Sequence, residues 1–170
     1  VELRGGSLTV TGTGRIRGVR LHVPEAGELA PTLVGLAALA DGPSEITGIG
    51  HIRHHETDRI AALVAEIRRL GGEAAELPDG IAVHPAPLHG GVWRSYADHR
   101  MATTGALLGL RVPGVEVEDV ASTAKTLPQF TELWQRMLGS TGSGAYPPGA
   151  GPGLGANADV NTGLGANAAP

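Results

Sequence analysis

Over residues 1–139 the spacing of apolar positions switches repeatedly between a period of two and a period near 3.6, and each switch marks an element. Ser7–Thr11 and Arg20–Val23 alternate as short strands. Pro31 suits a first helical turn, and Thr32–Ala40 is apolar on all sides, which predicts a buried helix ending near Gly42. Glu45–Ile49 reads as a strand. Ile60, Leu63, Val64 and Ile67 then recur at helical spacing until Gly71-Gly72 stops the helix. Glu73–Leu77 and Ile81–His84 flank Pro78-Asp79-Gly80, a hairpin signal. Val92–Ser95 is a further strand, Asp98 can cap a helix running to about Leu110, Val115–Glu118 is a strand, and Pro128–Leu138 is a final amphipathic helix. Interleaved helices and strands predict an α/β (α+β) domain.

The pattern changes near Gly139. Residues 140–170 are rich in Gly, Pro, Ala and Asn, carry only Asp159 as a charge, and repeat Gly-Leu-Gly-Ala-Asn-Ala at 153–158 and 163–168. Such a segment buries too little apolar surface to offset its chain entropy, so a disordered tail is expected. The chain also starts at Val1 in strand-like sequence, which raises the expectation of a missing N-terminal part.

Composition narrows the class. With 170 residues, 41% of them hydrophobic, the chain can build one domain with a modest core. A net charge of −4 and a pI near 6.0 give no reason to expect a nucleic-acid partner. No apolar run is long enough to span a bilayer, and no signal-peptide pattern opens the chain, so no membrane partner is expected. The absence of cysteine excludes disulfides and thiolate metal sites and fits a reducing, cytoplasmic setting. Aromatic residues are scarce, so the core falls to Leu, Ile, Val and Ala. Among the 13 basic residues Lys125 is the single lysine. Either an arginine-favouring composition spared it by chance, or the position needs a compact ammonium that can exchange a proton; composition weighs the two equally.

Three polar clusters fall at strand-to-helix junctions: Gly50–Arg59, Tyr96–Met101 and Ser122–Thr126. Each puts a cation (Arg59, Arg100, Lys125) in or near the first turn of an expected helix, where the macrodipole disfavours it by up to ~1 kcal/mol. A bound anion reverses that sign, because helix N-termini and arginine forks both hold phosphate and carboxylate. The plainer account, pairing of Arg59 and Arg100 with Asp58, Asp98 or Glu56 on a solvated surface, suffices for one such residue but weakens for three in equivalent places. His51 and His55, or His54 and Asp58, stand four apart, yet no second ligand set with zinc spacing exists, and hydrogen bonding to a substrate outweighs a metal site. Glu28, before Pro31, is either a helix-start carboxylate or a base facing the same pocket.

His55-Glu56-Thr57-Asp58-Arg59, Asp98-His99-Arg100-Met101-Ala102 and Thr123-Ala124-Lys125-Thr126-Leu127-Pro128 resemble, in order and spacing, the C-terminal signatures of the EPSP synthase family. The likeness runs from about Leu3 to Leu138 and leaves the tail without a counterpart. It implies the C-terminal portion (residues 1–139) of a domain built of βαβαββ-type units in an inside-out α/β barrel, truncated at its N-terminus, with a whole N-terminal domain absent. It also implies transfer of the enolpyruvyl group of phosphoenolpyruvate to the 5-hydroxyl of shikimate 3-phosphate, with no cofactor and no metal. By motif position the catalytic residues are Glu28, Glu56 and Lys125. Arg59, Arg100 and Lys125 bind phosphoenolpyruvate, and Glu28, His51 and His55 bind shikimate 3-phosphate. The family usually has Asp where Glu28 stands and often Lys where His55 stands; Glu keeps the carboxylate, whereas His55 carries charge only when protonated. The alternatives are the sister transferase acting on UDP-N-acetylglucosamine, and a non-catalytic remnant or binding module of the same fold. With one wall of a two-domain pocket, Arg59, Arg100 and Lys125 are expected to face solvent.

Overall fold

A computed structural model describes residues 1–140. The chain opens with β1 (Glu2–Arg4) and β2 (Ser7–Thr9), an antiparallel hairpin closed by Gly5 and Gly6, whose φ values of 55° and 80° supply the left-handed turn that such a hairpin needs. Every residue of the hairpin is exposed. The next six elements make one unit: β3 (Arg20–His22), α1 (Ala30–Ala38), β4 (Ser44–Thr47), α2 (Arg59–Arg69), β5 (Glu73–Leu77) and β6 (Gly80–His84). Their strands lie in the order β3-β4-β6-β5, with β3 parallel to β4 and the other pairs antiparallel. This is a β-α-β-α-β-β progression in a mixed sheet. A second, two-stranded parallel sheet follows, β7 (Gly91–Trp93) with β8 (Val115–Val117), joined through α3 (His99–Gly109), and α4 (Phe130–Ser140) ends the described chain.

The helix that is apolar on all sides lies where that composition demands. No residue of α1 is exposed, and the helix packs against β4 and β6 on one side and α3 on another. Gly35 permits the close approach of α1 and α3, since a Cβ there would stand 2.9 Å from the Thr104 methyl. The sheet, α1, α2 and α3 enclose one core in which Ile46, Ile49, Ile60, Leu63, Ile67, Leu70, Ile81, Trp93 and Met101 are buried. The aliphatic core expected from the scarcity of aromatics is present, with Trp93 the large exception.

Element boundaries shift at the ends. The first helix stops at Ala38 rather than near Gly42, because Leu39 and Ala40 bond to the carbonyls three residues back and tighten the last turn. The final helix begins at Phe130 rather than Pro128 and includes Ser140; the rest of the expected tail, 141–170, lies outside the described residues. Three 3₁₀ segments went unread in the sequence: Pro24–Leu29, Gly50–His54 and Val120–Lys125. They carry Glu28, His51 and Lys125. No helix among the described residues is long and apolar enough to cross a membrane.

Candidate active site

The site is built around Arg59, the first residue of α2. Asp58 caps that helix by accepting the Ala61 N–H at 3.0 Å, while Arg53 donates to both Asp58 carboxylate oxygens and to Glu76 on β5. The loop 54–57 is thus pinned at both ends, and the Arg59 side chain is directed inward, where it is 2% exposed. A buried guanidinium needs acceptors for its fork of donors. Arg59 donates from Nε to Asp98 Oδ2 at 2.7 Å and from its second terminal nitrogen to Oδ1 at 3.3 Å. The remaining terminal nitrogen donates to His55 Nδ1 at 2.9 Å and lies 3.3 Å from both Glu28 oxygens. The same Nδ1 lies 3.2 Å from Glu28 Oε1, so it accepts from Arg59 when it lacks a proton and donates to Glu28 when it carries one.

Asp98 performs two tasks from full burial. Its Oδ1 caps α3 by accepting from the backbone N–H groups of Arg100 (2.7 Å) and Met101 (3.3 Å), while both oxygens hold Arg59. The residues before it are strained: Tyr96 and Ala97 both adopt φ of 55°, a conformation that costs side-chain-bearing residues on the order of 1–3 kcal/mol each. The residues after it reach back into the cluster. His99 Nδ1 lies 3.1 Å from Glu56 Oε2, and burial, with Arg100 and Arg59 nearby, holds the imidazole pKa below its ordinary value against the pull of Asp98. Arg100 Nε stands 3.1 Å from Glu28 Oε2 without hydrogen-bond geometry, so this buried N–H has no acceptor among the described residues.

Lys125, at the end of the third 3₁₀ segment, makes an ion pair with the other oxygen of Glu56 and is 62% exposed. Glu28 faces Arg59, Arg100 and His55. Its partial burial would raise its pKa, but the two guanidiniums outweigh that and hold the carboxyl below its ordinary range. His51 packs over Gly27 so closely that no Cβ fits there, and its ring lies 5.8 Å from that of His55.

The structure therefore brings Glu28, Glu56, Arg59, Arg100, Lys125 and His55 into one cluster, with His51 at its edge. Two expectations are corrected. Arg59 does not face solvent; α2 and Asp98 bury it. Lys125 does not stand in the first turn of a helix, because α4 begins five residues later, at Phe130; the 3₁₀ segment places it. Two residues were missed as site members although both sit in quoted motifs, Asp98 and His99. The sequence offers Asp98 as a cap and as one of three possible partners of Arg59 or Arg100 on a solvated surface; the structure makes it both cap and partner of Arg59, with the pair buried. Glu56, Asp98 and His99 offer ligand atoms within 4.8 Å of one another. These oxygens are already committed to Arg59, Lys125 and the α3 N-terminus, and the three cations of the cluster repel a fourth.

A family model described as EPSP synthase (3-phosphoshikimate 1-carboxyvinyltransferase) matches residues 2–134. A 3-phosphoshikimate 1-carboxyvinyltransferase of Kocuria rhizophila is 59% identical over 142 residues, which cover 84% of this chain and 32% of that protein. Two solved structures of EPSP synthase from Acinetobacter baumannii superpose with TM-scores of 0.65 and 0.63 at 29% and 28% identity, each covering 72% of this chain and 30% of theirs. The chain thus spans about a third of the length of the relatives it matches. With its ordered motifs folded into one charged cluster and a family match over residues 2–134, the chain belongs to the EPSP synthase family.

Proposed function

We propose that the chain supplies the phosphoenolpyruvate-binding wall of an enzyme that transfers an enolpyruvyl group to the 5-hydroxyl of shikimate 3-phosphate. The observation that carries this reading is the meeting of three cations and two carboxylates from four separate elements, with a buried Arg100 N–H still lacking an acceptor. Arg59, Arg100 and Lys125 match the trianionic donor, whose carboxylate and phosphate each want two or more charge-assisted bonds. Glu28 takes the proton of the 5-hydroxyl as its oxygen attacks the central enol carbon. Glu56 protonates the methylene to a methyl, giving a tetrahedral intermediate. The C–O bond to phosphate then breaks as Glu56 takes a methyl proton back and the proton held by Glu28 passes to the leaving phosphate, which leaves the enolpyruvyl ether and inorganic phosphate.

The free site is neutralised internally, with Asp98 and Glu28 against Arg59, Glu28 against Arg100 and Glu56 against Lys125. An arriving anion takes over those cations, which frees both carboxylates for proton transfer. His55 and His51, whose rings lie 5.8 Å apart at the edge of the cluster, are the proposed holders of shikimate 3-phosphate. The β3–β6 unit is one βαβαββ repeat of an inside-out barrel whose remaining parts, with the opposing N-terminal domain, belong to a longer protein. The relatives' names favour shikimate 3-phosphate as acceptor over UDP-N-acetylglucosamine. Turnover with the N-terminal domain supplied in trans tests the reading: phosphate release that requires shikimate 3-phosphate is expected. Release that requires UDP-N-acetylglucosamine instead, or none under complementing conditions, overturns it.

A further inference from the structure

Glu66, in the second half of α2, is fully buried and touches none of the groups assigned to substrates. Its carboxylate accepts three hydrogen bonds: from the Tyr96 hydroxyl at 2.8 Å on one oxygen, and from the Arg94 backbone N–H and Arg69 Nε, each at 3.0 Å, on the other. Two of those donors belong to the segment joining β7 to α3. That segment holds the consecutive left-handed residues Tyr96 and Ala97, a conformation that persists only where surrounding contacts enforce it. The next three residues are Asp98 on Arg59, His99 beside Glu56 and Arg100 beside Glu28.

We propose that Glu66 is a positioning residue: its buried carboxylate latches the strained 94–97 turn and thereby fixes Asp98, His99 and Arg100 against the charged cluster. The alternative, that Glu66 only satisfies buried donors, predicts a loss of stability with no change at the site. The turn has other braces, Trp93 Nε1 to the Met101 carbonyl at 2.8 Å and Asp98 N–H to the Ser95 carbonyl at 2.9 Å, so loosening the latch leaves the fold intact while the turn gains freedom. The inference rests on the proposed function only for its consequence, weaker phosphoenolpyruvate binding.

Tyr96→Phe removes one donor, and Glu66→Gln leaves one acceptor oxygen where there were two. Arg68→Met is the control, since Arg68 lies on the same helix and bonds the Ala74 carbonyl rather than Glu66 or the turn. In the full chain, histidine NMR titration follows His99, and hydrogen exchange follows the Arg59 Nε–H that is buried on Asp98. In the first two variants the His99 midpoint should rise from its depressed native value, as the ring gains solvent and separates from Arg59 and Arg100. Exchange at Arg59 should quicken at least roughly tenfold. Arg68→Met should leave both unchanged. Folded Tyr96→Phe and Glu66→Gln proteins with wild-type His99 and Arg59 behaviour, or equal shifts in Arg68→Met, overturn the proposal. If Glu66→Gln does not fold, Tyr96→Phe decides alone. A wrong functional reading registers separately, as wild-type protein that does not bind phosphoenolpyruvate while both site readouts stand.

Discussion

Charge at the residue scale is arranged so that each group's titration reports on its neighbours. Glu28 is held below the ordinary glutamate range by Arg59 and Arg100, although it is 53% exposed. Its native pKa is depressed, so the unfolded chain binds a proton first on acidification, and the associated stability is lost as pH falls from about 4.3 through the native value. His99 acts in the same sense at higher pH: its native pKa is also depressed, so stability declines as pH falls below roughly 6.5. Urea denaturation across pH should therefore show two components. Glu28→Gln should flatten the lower one and leave the upper intact; an unchanged slope below pH 5 in that variant would mean that Glu28 does not feel the guanidiniums. Lys125 is a separate case, because its exposure makes it dispensable for folding. In an enzyme completed by its other domain, Lys125→Ala should lower kcat/KM by roughly 10²–10³-fold with an unchanged melting temperature. Lys125→Arg should also be poor, since charge is kept and shape is not. Near-normal rates in both would remove Lys125 from the site.

Elements carry these residues by their ends, and the ends are where substitutions should tell. Asp98 is at once the cap of α3 and the counter-ion of a guanidinium that is 2% exposed. Its loss as a cap alone costs about 1 kcal/mol. Leaving Arg59 buried beside a half-exposed Glu28 raises the cost to about 3–5 kcal/mol. Asp98→Ala should therefore lose that much in urea unfolding, far beyond an ordinary cap substitution, and a loss near 1 kcal/mol would show that Arg59 does not depend on it. The seat of α3 is equally tight. A Cβ at Gly105 would stand 2.5 Å from Trp93 Cδ1, and the indole cannot withdraw because its N–H is bonded to the Met101 carbonyl. Gly105→Ala should cost about 1–3 kcal/mol, measured by the same unfolding assay. The cap residue Asp98 and the stop at Gly71 were legible because capping is a local matter of one side chain and the next turn. The 3₁₀ segments had no such signature, since a single tight turn imposes no hydrophobic period.

For the molecule as a whole, the proposed function makes the described chain one wall of a site whose chemistry needs two. Closure excludes water and brings donors from both sides onto the developing charge. Alone, the chain should bind phosphoenolpyruvate weakly, with affinity falling steeply as salt screens Arg100 and Lys125 at the rim. It should release no phosphate from the two substrates together; sustained turnover by this chain would show that the opposing wall is dispensable. Sequence by itself determined the α/β alternation, the order of the elements and the three ordered motifs, because hydrophobic period, turn chemistry and spacing act within a few residues. Only the tertiary structure decided which charges meet. Asp98 reaches Arg59 across 39 residues, and Lys125 reaches Glu56 from a different element, pairings that no local rule specifies. Tertiary packing likewise turned Arg59 from an expected surface cation into a buried one, and gave Glu66, unremarkable on its helix, three donors from the turn and its own helix. The physical reason is the same in each case: electrostatic partners are set by distance in space, and the chain reaches those distances only after its apolar faces have packed.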